Sequence, residues 1–382
     1  VYSERRLAFE WIRPMSSTQE NAPALKEIFN QQRLEHIADA MHAVHPAFER
    51  QRFLQLAGHN LAELSLMQRL ARVSESLHQV LDLDYASSLE RLQALAPRLN
   101  NRFVCIFLPH YVASHGLHDF ELSMAALKYF TGFGSSEFAV RHFLRQDGPR
   151  TLARMQQWAD DPDEHVRRLA SEGTRPRLPW SFRLEQLQAD PQLAAPILER
   201  LKRDPSLYVR KSVANHLNDI SKDHPQWVMQ RLEAWPLDHP HSAWIARHAL
   251  RSLIKQGERR ALAIIGAGAR AEVEIRRFQV TPGQLRLGER LDLSLSLAST
   301  SPRDQRLVVD YAIDYVKASG ATARKVFKLK TFTLQGWARV DLGRSQPIRE
   351  LTTRRHYPGR HGVQLLINGE PVASGHFELL IA

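Results

Sequence analysis

The chain has a single cysteine, Cys105, among 382 residues. That excludes an intramolecular disulfide framework and any multi-cysteine zinc or iron–sulfur site. Cys105 sits in the apolar run Phe103–Leu108, where the plain role is a small buried hydrophobe rather than a reactive thiol. Long apolar runs are also missing: none approaches the roughly 20 residues needed to span a bilayer. The first residues, Val1-Tyr2-Ser3-Glu4-Arg5-Arg6, lack the apolar stretch of a secretory signal. Cytoplasmic residence without a membrane partner is the expectation. No G-x-S-x-G elbow or Walker-type loop occurs. Negative charge is the scarcer sign. Against 52 Lys+Arg stand 41 Asp+Glu, a formal net charge of +11. Such a surface favours an anionic partner: nucleic acid, an anionic membrane surface or a phosphorylated ligand.

What is present divides into two periods. From about Leu25 to Leu262 the apolar spacing is helical, as in Leu61, Leu64, Leu66, Leu70, Val73, Leu77 and Leu81. From about Ala271 the period is two. Leu291, Leu293, Leu295 and Leu297 alternate with polar residues, as do Val363, Leu365 and Ile367. Turn signals fall at Thr281-Pro282-Gly283, Ala318-Ser319-Gly320, Pro358-Gly359 and Asn368-Gly369. About seven short strands punctuated this way predict an antiparallel sandwich of immunoglobulin type. The expected organisation is a helical domain over residues 1–266 and an all-β domain over 267–382. The segment Gly266-Ala267-Gly268-Ala269-Arg270-Ala271 matches the dinucleotide pattern G-x-G-x-x-A, but a helix precedes it and a strand follows. Pyrophosphate binding needs the opposite order, so the segment is a linker.

The helical part repeats. Asp161-Pro162 and Asp204-Pro205 are 43 residues apart, as are Val166-Arg167-Arg168 and Val209-Arg210-Lys211. In each copy Asp is expected to cap a helix that begins at Pro. A looser third copy begins at His239-Pro240. Periods near 40 residues are the mark of HEAT-like solenoids, whose units bury their faces against one another. The 43-residue shift superposes Glu172 on Asn215 and Arg175 on Asn218. Polar residues at equivalent positions form a candidate row along one face. A solvated outer face is the competing reading.

Three runs carry a family resemblance: Ser135–Arg141, His165–Trp180 and Tyr208–Pro225. Together they resemble the AlkC branch of the HEAT-like DNA alkylation-repair glycosylases. Val326–Lys330 and Tyr357–His361 resemble the immunoglobulin-like domain carried by some of that branch. The resemblance spans roughly Phe120 to the C-terminus. It implies a bacterial, monofunctional base-excision enzyme acting in the nucleoid on double-stranded DNA, as a monomer and with no cofactor or metal. The bases implied are cationic and methylated: 3-methyladenine and, in this branch, 3-methylcytosine and 1-methyladenine. One departure is that the related AlkD branch has a Trp where this chain has Asn215. Aromatic contact to the sugar is then expected from Trp180 or Trp158.

The chemistry directs attention to carboxylates. A methylated purine already carries positive charge and leaves readily. The remaining barrier is cationic character on the deoxyribose, which a nearby carboxylate stabilises while it orients water. Glu137, near a helix start and four residues before Arg141, is the first candidate, on the strength of the family run. Glu121 is the second, and Glu172 and Asp219 lie in the two repeat motifs. For each the plain alternative is a helix-start or surface carboxylate paired with Arg.

Candidate DNA contacts in the helical part are Arg141, Arg168, Arg175, Trp180, Lys211, Asn215, Arg247 and Arg251. In the β part they are Arg354, Arg355 and Arg360, around the Tyr357-Pro358-Gly359 turn. Residues 268–382 hold 18 Lys+Arg and 11 Asp+Glu, a net +7. That suits a second DNA clamp. His110, His115, His118 and Asp119 fit no zinc spacing and read as a polar loop. Two other functions compete with a glycosylase: a non-catalytic HEAT scaffold that grips DNA, and a protein-interaction adaptor, which has no need of so much positive charge.

Overall fold

The computed structural model of the protein describes residues 25–350 and 355–381. Among these, sixteen α-helices precede eight β-strands. The helices are α1 Gln31–Val44, α2 Arg50–Gly58, α3 Leu66–Leu81, α4 Tyr85–Leu95, α5 Phe107–His115, α6 Phe120–Phe130, α7 Val140–Gln146 and α8 Gly148–Trp158. They continue with α9 Glu164–Gly173, α10 Glu185–Ala189, α11 Ala195–Leu201, α12 Leu207–Ile220, α13 Pro225–Glu233, α14 Pro240–Ala249, α15 Arg251–Lys255 and α16 Arg259–Ile264. The strands are β1 Val273–Thr281, β2 Gln284–Arg286, β3 Arg290–Ser299, β4 Gln305–Val316, β5 Thr322–Leu334, β6 Arg339–Pro347, β7 Gly359–Ile367 and β8 Glu370–Leu380. Secondary structure changes between Ile264 and Val273, in the Gly266–Ala271 linker. Packing divides the chain earlier, between His216 and Leu217, into two compact units.

In the first unit the 43-residue repeat has a physical basis. Arg167 folds back so that Nη1 donates to the carbonyls of Asp161 and Pro162, each at 2.9 Å. Arg210 does the same to Asp204 and Pro205, each at 2.8 Å. The Asp-Pro pairs are not helix starts, however. Asp163 caps α9, accepting from the His165 N–H at 2.8 Å. Asp161 and Asp204 instead accept an N–H two residues on, from Asp163 at 3.0 Å and Ser206 at 2.8 Å. These are Asx turns in the inter-helix connection, a conformation as natural to Asp as the cap. In the looser copy it is His239 that caps α14, with Pro240 as its first residue.

The second unit holds the sandwich and α13–α16. One sheet has the order β1-β3-β6, the other β2-β8-β7-β4-β5. Leu291, Leu293, Leu295 and Leu297 are all buried, as are Val363, Leu365 and Ile367. Period two therefore puts one face of β3 and of β7 into the core: Leu291, Leu293 and Val363 cluster with Tyr311, Ile313 and Phe377, and Leu295, Leu297, Leu365 and Ile367 with Leu307 and Val309. The Asn368-Gly369 turn joins β7 to β8 with φ of 47° and 80°, the left-handed pair that a tight hairpin requires. Gly369 approaches Gly257, where an added Cβ would stand 2.9 Å from the Gly257 Cα. Asn368 Nδ2 donates to the Ala269 carbonyl at 3.0 Å, and Arg259 pairs with Glu370 at 2.8 Å. Gly268 follows α16 so closely that a Cβ there would lie 2.6 Å from the Ala263 Cβ, which explains a small residue in the linker without any nucleotide.

Candidate active site

The site grows from one amphipathic helix. On α9, Arg168 and Glu172 are four residues apart and share a face, and Arg175 follows just past the helix end. Arg168 Nη2 lies 3.4 Å from Glu172 Oε1, and Arg175 Nη1 donates to the same oxygen at 2.6 Å. The other end of the row comes from the turn before α7. Arg168 Nη1 forms a short ion pair with Glu137 Oε2 and also donates to Ser135 Oγ at 2.8 Å. Ser135 in turn donates to Glu137 Oε2 at 2.7 Å. The result is an alternating row, Glu137–Arg168–Glu172–Arg175, with all four residues buried.

Burying four charges is tolerable only because each has an opposite neighbour and further hydrogen bonds. Burial alone would push the Glu172 carboxyl up. The Arg168 and Arg175 guanidiniums outweigh it and hold the group well below its usual range, as a carboxylate. Arg168 moves the other way: burial would lower it, but Glu137 and Glu172 raise it. Glu137 keeps the most exposed side chain of the four, at 11%. Of the two carboxylates in the row it is the slightly more accessible one.

Helix α12 closes one side. The Tyr208 ring centroid lies 5.2 Å from the Arg168 guanidinium. Burial pushes its phenol up to about 12, against the pull of Arg168. Ser212 donates to Ser171 Oγ at 3.0 Å, fastening α12 to α9. His216 is wholly buried in the same region, and burial, reinforced by Arg175, pushes it down to about 3. It is neutral at ordinary pH. On the outer side Phe103 and Trp180 meet edge to face at 6.5 Å. Trp180 is 58% exposed and has φ of 65°, a left-handed backbone uncommon for a bulky residue.

The sequence-derived candidates separate on these coordinates. Glu137, Arg168 and Arg175 are brought together. Arg141 is not a surface cation. It has no exposed area, and it donates to the carbonyls of Gly173 at 3.1 Å, Arg175 at 2.6 Å and Phe182 at 2.5 Å. It pins the segment that carries Trp180, and Glu137 takes Arg168 as its partner instead. Arg168 and Arg175 are likewise too buried, and too engaged with carboxylates, to grip phosphate as placed.

Glu121 stands apart. It is exposed at the start of α6, and Arg150 and Arg154 of α8 take its two oxygens at 2.8 and 2.5 Å. Their hydrogen bonds hold its carboxyl below the usual range. Lys211 is exposed and Asn215 half-buried on α12. Arg247 on α14 and Arg251, the first residue of α15, are exposed in the second unit. Arg355 and Arg360 are exposed beside the Tyr357-Pro358-Gly359 turn, whereas Arg354 lies outside the described residues.

Ser135, Tyr208 and Phe103 escape the sequence reading. Glu172, a candidate from its repeat motif, does join the row, four residues from Arg168. Cys105 is buried, and burial pushes its thiol up to about 11. Among the described residues, no three His, Cys, Asp or Glu side chains are placed to hold a metal ion, and no helix is long and apolar enough to cross a membrane.

Comparison with known proteins covers most of the chain. The family described as "DNA alkylation repair enzyme" matches residues 125–253, which contain the charged row. The "Uncharacterised protein YhaZ, C-terminal Ig-like domain" family matches 274–381. The chain is 40% identical over 356 residues to the protein YhaZ of Bacillus subtilis (strain 168), covering 93% of this chain and 99% of that one. It is also similar to the Pseudomonas fluorescens alkylpurine DNA glycosylase AlkC, solved bound to DNA containing an abasic site analog. That likeness has 65% identity and a TM-score of 0.91, and covers 94% of this chain and 100% of the other. The helical repeats, the sandwich and their order in the chain are those of one lineage, and this chain belongs to the AlkC branch of the DNA alkylation repair enzymes.

Proposed function

We propose that the protein is a DNA glycosylase that hydrolyses the N-glycosidic bond of cationic methylated bases: 3-methyladenine, with 3-methylcytosine and 1-methyladenine as further substrates. The observation that carries the reading is the full-length likeness to an alkylpurine DNA glycosylase solved on abasic DNA. The buried carboxylate row supports it independently.

The cationic base departs with the bonding electron pair and becomes neutral. The deoxyribose is left as an oxocarbenium-like cation. Glu137, at the more exposed end of the row, stabilises that charge and orients the water that adds to the anomeric carbon. The water's proton passes to the carboxylate and on to solvent. Arg168 fixes the Glu137 rotamer, and Glu172 keeps Arg168 in place, so the carboxylate is preorganised rather than recruited. Glu121 has no part in this, because two arginines hold it elsewhere. Trp180 offers the aromatic contact to the sugar or base. Lys211, Asn215, Arg247 and Arg251 supply the backbone contacts, and the sandwich adds a second basic DNA-binding surface.

The test is direct. The protein is incubated with methylated duplex DNA and free methylated bases are measured. Release above the spontaneous rate is expected. Tight DNA binding with no release identifies a non-catalytic scaffold instead.

A further inference from the structure

Two tryptophans share an unusual combination. Trp180 and Trp337 are the most exposed large apolar side chains among the described residues, Trp337 at 67%, and both have a left-handed backbone, with φ of 60° at Trp337. A bulky residue is disfavoured in that region, and a ring left in solvent gains nothing from folding. Trp180 lies five residues beyond Arg175, in the segment that Arg141 pins. Trp337 lies in the β5–β6 turn, for which the charged row gives no reason.

The turn is rigid. Trp337 N–H donates to the Ser301 carbonyl at 3.0 Å, Ala338 N–H to Gln335 at 3.1 Å, and Gly336 N–H to Asp304 Oδ1 at 3.1 Å. Gly336 lies so close to the β3–β4 loop that a Cβ there would stand 2.1 Å from the Pro302 carbonyl oxygen. The backbone is thus overdetermined by its surroundings, and it holds the indole outward.

Strand register shows what shares this end of the sandwich. Gln305 pairs with Leu334, Ala298 with Arg339, and Val309 with Ile367. The 300–304, 335–338 and 368–369 connections therefore lie together, beside the linker that enters β1. Arg303 and Arg339 are exposed there and Arg306 is half-exposed. Arg306 faces Arg247 of α14 within the same unit: burial first, then the charge of Arg306, pulls the Arg247 guanidinium below its ordinary range. Of the carboxylates at this end, Asp304 takes the Gly336 N–H and Glu370 takes Arg259. Arg355 and Arg360 lie at the opposite end, where Gly359 pairs with Leu379 and Val316 with Thr322.

We propose that the Trp337 turn is a DNA-contacting element: its indole stacks on a base or deoxyribose while Arg303, Arg306 and Arg339 hold the adjacent phosphates. DNA then meets this end of the sandwich rather than the Arg355–Arg360 end. An aromatic platform among cations is the recurrent way to hold nucleic acid without reading its sequence. The inference rests on the glycosylase reading for its choice of ligand.

The test uses the full chain and a duplex containing an abasic-site analogue, with affinity measured at two salt concentrations. Trp337→Gly removes the ring and supplies the residue type that this backbone favours, so the variant unfolds at the unmodified temperature or above it. Its affinity falls about five- to a hundredfold, the span of losing one aromatic stack on a base. Trp337→Asn, which also tolerates the backbone, reproduces the loss, and Trp337→Phe restores most of the affinity. R303Q flattens the salt dependence, and the R355Q/R360Q pair leaves binding unchanged. Unmodified affinity in W337G and W337N, or a loss carried by the R355Q/R360Q pair instead, overturns the proposal. Excision of 3-methyladenine by the same preparations separates the two readings. Binding that depends on Trp337 without base release removes the glycosylase activity and leaves the interface. Base release with binding indifferent to Trp337 removes the interface alone.

Discussion

Arg168 bridges Glu137 and Glu172 with one guanidinium, Nη1 to the first and Nη2 to the second. Glu137 is 31 residues away in the chain, whereas Glu172 is on the next helical turn. On the proposed function the bridge couples catalysis to stability, because the group that positions Glu137 also neutralises a buried carboxylate.

Glu137→Gln keeps the size and hydrogen-bonding capacity of the side chain but removes its charge. Single-turnover excision is expected to fall by about a hundredfold or more, the scale of losing one preorganised electrostatic contact. Lesions with poorer leaving groups lose more than 3-methyladenine, which departs readily unaided. Glu121→Gln, on a solvent-exposed ion pair, excises at the unmodified rate. If both variants excise at that rate, the oxocarbenium role belongs to another group.

Arg168→Met leaves Glu137 and Glu172 buried beside one remaining arginine. A cost of about 3–5 kcal/mol in unfolding free energy is expected, the scale of breaking a buried ion pair from one side. In the unmodified protein the Glu172 carboxyl lies below its ordinary value, so its stabilising contribution is complete above about pH 4.5 and is lost as pH falls through the folded value. In the variant Arg175 is the one guanidinium left to offset burial, so the acid-dependent loss shrinks, and where burial dominates the sign reverses and stability falls as pH rises. Urea unfolding across pH 3–7 measures both effects.

His216 carries an acid-dependent cost of its own. It stays neutral in the folded protein down to about pH 3, while in the unfolded chain it takes a proton near 6.5. Stability therefore declines as pH falls from about 6.5, with a slope contribution near 1.4 kcal/mol per pH unit for one proton. His216→Leu removes that component and flattens the stability profile between pH 6 and 4.5. An unchanged profile would show that His216 titrates normally in the folded state.

Arg141→Met leaves three carbonyls without their buried donor and loosens the segment that bears Trp180. A loss of about 3–9 kcal/mol in stability is expected, at roughly 1–3 kcal/mol for each of the three unsatisfied groups. The salt dependence of DNA binding keeps its slope, because a buried guanidinium releases no counterion. Lys211→Gln and Arg247→Gln are expected to do the reverse, each reducing the log–log slope by about 0.9 at unchanged melting temperature if it neutralises a phosphate. A flattened slope in Arg141→Met would mean that its side chain reaches DNA after all.

Cys105 is expected to resist thiol reagents at pH 7–8 in the native protein, since burial holds the thiol near 11 and only the thiolate attacks. One equivalent reacts after denaturation. Stoichiometric labelling of the folded protein would place the thiol at the surface.

Much of the architecture is written in local spacing. Leu291 to Leu297 at period two foretold an inward face of β3, and Asn368-Gly369 the β7–β8 hairpin turn, because pleat and turn geometry act over two to four residues. The 43-residue echo of Asp-Pro and Val-Arg foretold two copies of one helical unit, and each Arg does fold onto its own Asp-Pro carbonyls. Glu172 beneath Arg168 was legible for the same reason.

What could not be read locally was who meets whom across the stack. Arg141 stands four residues from Glu137 and looked like its partner, yet packing against the 173–182 segment took Arg141 into the interior and delivered Arg168 to Glu137. The choice between Asp161 and Asp163 as the cap of α9 turned on the path of the inter-helix connection. The exposure of Trp337 turned on the β3–β4 loop that holds its turn. Buried charge is tolerated only beside its complement, and that complement is supplied by whichever helix the fold brings alongside. Sequence therefore set the elements and their order, while tertiary packing decided which arginine faces the carboxylate, which one is structural, and which aromatic ring is left in solvent.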